Sequence, residues 1–102
     1  MLQFTVSEHI KADRLDRLTA IAMNVGIGEK IVLEVPIDNK RYCLTDTGVM
    51  LVMAITGEFL ITAYLATLKQ AKGYYTRAGY KVMPDFIYKK VKHNEKYLKI
   101  CQ

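Results

Sequence analysis

The stretch Val49-Met50-Leu51-Val52-Met53-Ala54-Ile55-Thr56-Gly57-Glu58-Phe59-Leu60-Ile61-Thr62-Ala63-Tyr64-Leu65-Ala66 decides how this chain is read. Two runs, Val49 to Ile55 and Phe59 to Ala66, are β-rich and apolar at nearly every position, as strands covered on both faces are. Between them, Thr56-Gly57-Glu58 has the composition of a turn. The pair is therefore expected to form an antiparallel hairpin at the centre of a sheet. A hydropathy window from Val49 to Leu68 spans twenty mostly apolar residues and invites a transmembrane reading. Glu58 in its middle opposes it, because a carboxylate at the centre of a spanning helix costs roughly 2.5 to 3.5 kcal/mol on insertion scales.

Working outward, Lys30 to Ile37 and Arg41 to Leu44 are two more β-rich runs, joined by the hairpin-like Asp38-Asn39-Lys40. Pro36 predicts an edge strand. A rival reading makes Thr47 to Ile55 a helix capped by Asp46, because Tyr42-Cys43-Leu44-Thr45-Asp46-Thr47-Gly48 resembles the wing-then-helix junction of winged-helix proteins. Upstream, Leu2 to Val6 reads as extended, and Ser7 is the expected N-cap of a helix from about Glu8 to Asn24. Its Ile10, Leu18, Ile21, Ala22 and Val25 share one face at helical spacing. Downstream, Leu68, Ala71, Tyr75 and Ala78 recur at helical spacing up to Gly79, and Pro84 opens a last helix from about Asp85 to Ile100. The expected fold is α+β: an N-terminal helix packed on a four-stranded antiparallel sheet, followed by two C-terminal helices.

The 102 residues, 51% of them hydrophobic, suffice for one core, so residues 1–102 are expected to be a single domain. Cys43 and Cys101 are far apart and belong to no Cys-x-x-Cys or Cys/His cluster, which argues against a zinc site and a disulfide scaffold. No metal or other cofactor is expected. Met1 is followed by Gln3, Glu8 and His9 instead of a basic stretch and an apolar run, so no signal peptide or membrane association is expected and the cytoplasm is the expected setting. The net charge of +5 is unevenly spread. Residues 1–68 carry six Lys/Arg against eight Asp/Glu, a net of −2, while residues 69–102 carry nine against two, a net of +7. Such a patch attracts phosphate backbones or an acidic partner.

Arg14 is the sharpest anomaly, because at 100° per residue it projects between Ile21 and Val25 on the stripe that should face the core. A snorkelling or ion-paired guanidinium is one account. A cation held at the helix–sheet junction to bind a phosphate, with Arg17 beside it, is the other. His9, in the first turn of the same expected helix, sits where the dipole disfavours its protonated form, and it is either an ordinary solvated residue or a base. Thr62 and Tyr64 point to one face of their strand by the period of two, placing two hydroxyls among apolar residues. On the last helix, Lys89, Lys92, Lys96 and Lys99 line up at spacings of three, four and three, with Tyr74, Tyr75, Tyr80 and Tyr88 interleaved in the basic third. This stripe is either a solvated face or a grip on RNA, its tyrosines stacking on unpaired bases.

A strand written as Gly, two or three apolar residues and then Ile61-Thr62-Ala63-Tyr64 resembles the last sheet strand of the barnase/EndoU/colicin/RelE-like ribonucleases of bacterial toxins and phages. Ser7-Glu8-His9-Ile10-Lys11-Ala12-Asp13-Arg14-Leu15-Asp16-Arg17 is similar to that superfamily's helix, in which a His is followed by Arg residues ahead of an antiparallel sheet. The resemblance covers roughly residues 4 to 66 and implies RNA cleavage without metal, with His9, Arg14, Arg17, Thr62 and Tyr64 at the matching positions. It also implies RNA such as tRNA as substrate and an immunity protein or antitoxin as partner. In such a site His9 would act as base, the two arginines would hold the phosphate, Tyr64 would act as acid, and Thr62 would donate to a phosphate oxygen. The chain lacks the second histidine near the sheet that the more elaborate members carry. Two rivals stand beside this expectation of a small endoribonuclease: a nucleic-acid-binding protein without catalysis, and a phage or mobile-element protein that inhibits a host protein through its basic face.

Overall fold

A computed structural model describes residues 2–6, 8 and 10–101. Its strands are β1 (Thr5–Val6), β2 (Ile31–Ile37), β3 (Lys40–Thr45), β4 (Val49–Ala54) and β5 (Phe59–Leu65). Its helices are α1 (Ala12–Asn24), α2 (Leu68–Arg77), α3 (Asp85–Asn94) and, after a 3-10 turn at Glu95–Tyr97, α4 (Leu98–Cys101). The sheet runs in the order β1-β5-β4-β3-β2, antiparallel from β2 to β5. Asp38 and Asn39 have φ of 50° and 64°, the paired left-handed residues that a two-residue turn needs to match the strands' right-handed twist. β4 and β5 lie inside the sheet and β2 at its edge, as their apolar runs and Pro36 predict. Residues 49–54 are a strand, so the winged-helix-like reading fails.

Three details differ from the expected fold. The sheet has five strands instead of four: Thr5 and Val6 pair in parallel with Phe59 and Leu60, and the Thr5 N–H donates to the Glu58 carbonyl at 2.6 Å. A strand of two residues is too short to show a period in sequence. α1 begins at Ala12 instead of Glu8, with Lys11 as its N-cap and no side-chain cap bond, while Ser7 lies outside the described residues. The single last helix expected over Asp85 to Ile100 is α3, the 3-10 turn and α4.

Both faces of the sheet are covered, which is why β4 carries no polar residue. On one face Leu33, Val35, Leu44, Met50 and Val52 pack with Ala71 and Tyr75 of α2 and Ile87 and Val91 of α3. On the other, Cys43, Val49, Leu51, Met53, Ala63 and Leu65 pack with Ile21 of α1 and Cys101 of α4. The C-terminal helical run passes between the two faces at the β3–β4 turn. There Asn94, only 2% exposed, donates to the Thr47 carbonyl at 2.7 Å. Gly48 makes that contact feasible, since a Cβ on it would lie 2.8 Å from the Asn94 amide nitrogen. Among the described residues no helix is long and apolar enough to cross a membrane.

Candidate functional site

Residues expected to share one cleft lie on opposite faces of the sheet. Thr62 pairs with Val52 and Tyr64 with Met50, and directly paired residues share a face, so both hydroxyls point toward α2 and α3. α1 packs on the other face through Ile21 and Leu18. Arg14 is half-buried on that helix. Arg17 donates to the Ala63 carbonyl over a long 3.5 Å. The bond from Ala66 N–H to the Gly48 carbonyl sets the ladder's alternation, so that the Ala63 carbonyl faces the edge of β5 beyond the end of β1. Arg17 thereby covers part of this sheet edge. His9 lies outside the described residues. The expected convergence of Arg14 and Arg17 with Thr62 and Tyr64 is corrected: α1 packs on one face of the sheet and the two hydroxyls point from the other.

Tyr64 is built into an aromatic stack. Its hydroxyl lies 3.4 Å from that of Tyr74, whose ring stacks on Tyr42 at 5.4 Å and 22°. Burial first, and then the bond to Tyr74, push its phenol well above the ordinary range, which keeps it protonated and makes it a weaker acid than an exposed tyrosine. Burial likewise pushes the Cys43 thiol up to about 11 and raises Cys101, leaving both protonated and poorly nucleophilic. Among the described residues no three His, Cys, Asp or Glu side chains gather where a metal could be held.

The lysine stripe is interrupted. Lys89 and Lys92 sit on α3, Lys96 in the 3-10 turn and Lys99 on α4, all exposed. The 3-10 turn winds at about three residues per turn and shifts the spacing. Lys92 pairs with Glu95 at 3.6 Å, and the Lys96 ammonium lies 5.1 Å from the Tyr97 ring centroid. Two of the four lysines thus have partners within their own segment.

Tyr88, the remaining predicted contact residue, belongs to a different feature. It lines a half-open groove of about 450 Å³ between α2 and α3, with Lys72, Thr76, Tyr80, Lys81 and Asp85 around a floor of Tyr75 and Met83. Local sequence builds this groove. Thr67 and Gln70 form a reciprocal capping box that starts α2. At the other end Gly79, with φ of +95°, lets the Tyr80 N–H reach the Tyr75 carbonyl at 2.9 Å and the Gly79 N–H reach Thr76 at 3.0 Å. That turn lays the Tyr80 ring edge-on to Tyr75, with centroids 5.6 Å apart. Tyr80 and Tyr88 remain 56% and 40% exposed, and the Lys72 ammonium sits 5.9 Å from the Tyr88 ring centroid. Two exposed rings beside two exposed lysines are what base stacking and phosphate contact require. The sequence reading reached Tyr80 and Tyr88 but not Lys72 and Lys81, which meet only after the chain folds back at Gly79. No family model, curated protein or solved structure matches the chain, so its surface is read from its own geometry.

Proposed function

We propose that the chain binds single-stranded nucleic acid, unpaired RNA in the first instance, through the α2–α3 groove and without cutting it. One observation carries this reading: Tyr80 and Tyr88 present exposed rings into a groove whose rim holds Lys72 and Lys81. An exposed tyrosine offers a π-face worth roughly 1 to 3 kcal/mol per stacked base, whatever the base. The lysines add phosphate attraction, and Asp85 on the same rim can accept from a base amino group. The net +7 of residues 69–102 steers a polyanion to this end of the molecule. The loops of a structured RNA such as tRNA offer the splayed bases this groove suits. Cleavage through His9, Arg14, Arg17, Thr62 and Tyr64 needs one shared face, which Arg14 and Arg17 do not have with Thr62 and Tyr64, so binding is the function the geometry favours.

The test is fluorescence anisotropy with a labelled RNA of about 12 nucleotides, a length within the usual single-strand site range, against a duplex of the same sequence. The single strand should bind about tenfold or more tightly than the duplex, and gel analysis should recover it intact. Equal affinity for both forms would leave charge alone as the attraction. Fragments ending in 2′,3′-cyclic phosphate would restore the cleavage reading.

A further inference from the structure

Glycine in the middle of an exposed helix weakens it relative to alanine, by about fivefold in the folding equilibrium. α2 carries Gly73 in its interior, and nothing in the fold requires it. The other five glycines have positive φ, whereas Gly73 does not, and a Cβ built on it meets no atom within 4 Å. Open space above a bare stretch of helix suits something outside the chain that approaches the backbone closely.

The surroundings of Gly73 indicate what that is. Lys69 and Arg77 stand four residues before and after it, in line along the outer face and about 6 Å away along the axis on either side. With Gln70 and Tyr74 they bound a shallow notch of about 380 Å³ that no carboxylate lines. Its aromatic wall is fixed, because Tyr74 is stacked on Tyr42 and its hydroxyl lies 3.4 Å from that of Tyr64. Lys72 and Thr76, on the adjacent strip of the same helix, line the α2–α3 groove on the other flank.

We propose that the notch over Gly73 seats a phosphodiester of the single strand whose bases stack in the groove, an inference that rests on the single-strand reading. The strand crosses α2 with its backbone against Gly73, a cation at each side neutralising the phosphate, and its bases turned toward Tyr80 and Tyr88. A side chain at position 73 would hold the phosphate away from the helix and from Lys69 and Arg77.

Gly73→Ala and Gly73→Gln separate stability from binding. A Cβ at position 73 meets no atom within 4 Å, so Gly73→Ala should raise the thermal midpoint by several degrees. Its affinity for labelled single-stranded RNA should nevertheless fall by about tenfold, and that of Gly73→Gln by at least as much. Stabilised variants that bind as tightly as the parent would overturn the notch and leave the stacking groove standing. A parent that binds no RNA would overturn both. A Gly73→Ala variant no more stable than the parent would remove the premise that the fold has no use for this glycine.

Discussion

Replacing Lys72 and Lys81 together by Gln should lower the salt dependence of RNA binding more than replacing Lys89, Lys92 and Lys96. The expectation follows from where each ammonium stands. Lys72 and Lys81 line the groove, Lys72 with its ammonium beside the Tyr88 ring, whereas none of the other three does, and Lys92 pairs with Glu95. Each phosphate contact on a single strand adds roughly 0.7 to the slope of log K against log salt concentration. Loss of both groove lysines should therefore reduce that slope by about 1.4. The triple variant should reduce it by less than about 0.7, since none of its three lysines lines the groove. All five side chains are exposed, so each variant should melt within about one degree of the parent, as surface substitutions usually do. Anisotropy titrations at four salt concentrations give the slopes directly. A larger drop for the triple variant than for the double would refute the groove and return the grip to the lysine stripe.

Other outcomes follow from the same geometry. Tyr80→Ala and Tyr88→Ala should each weaken binding by roughly 1 to 3 kcal/mol, with the salt slope unchanged, because a lost stack releases no counterion; a changed slope in the same titrations would mean the rings act through the lysines. Arg41 donates to the carbonyls of Ala54, at 2.8 Å, and of Gly57, and to Glu34 at 3.1 Å, closing the β4–β5 turn. Arg41→Ala should cost about 2 to 4 kcal/mol in urea denaturation, since two of these partners are backbone groups left without their donor, and a loss under about 0.5 kcal/mol would show the clamp to be idle. Burial raises the Cys43 thiol from 9.0 to about 11, so above pH 9 the unfolded chain loses a proton that the folded chain keeps. The Cys43 contribution should be full below pH 9 and fall by about 1.4 kcal/mol per pH unit as pH rises toward 11, and Cys43→Ala should remove that share of the fall and leave the share of Cys101, whose thiol burial also raises, when denaturation midpoints are compared across the range.

The centre of the fold was legible because its physics is local. Apolar residues at nearly every position of 49–55 and 59–66 mean strands covered twice, Asp38-Asn39 means a tight turn, and Gly79 means a helix end. Thr62 and Tyr64 do share a face, as a period of two requires. That α1 covers the opposite face was not legible, because β5 presents apolar residues to both sides and a one-dimensional pattern cannot assign either side to a helix. Arg14 is a half-buried cation on α1, yet the hydrogen bond to the sheet comes from Arg17, on the stretch of β5 past its pairing with Thr5 and Val6. The lysine stripe presumed 3.6 residues per turn through Glu95–Tyr97, where a 3-10 turn intervenes. One available signal went unused: Thr67-Leu68-Lys69-Gln70 is a capping-box sequence that places the start of α2.

The most direct measurement is a titration of isotope-labelled protein with a short single-stranded RNA, followed by backbone amide shifts. Binding in the α2–α3 groove predicts that the largest shifts fall at Lys72, Tyr80, Lys81 and Tyr88, with Arg14, Arg17 and the rest of α1 unmoved on the far side of the sheet. Shifts centred on Arg14 and Arg17, with the α2–α3 groove silent, would contradict it.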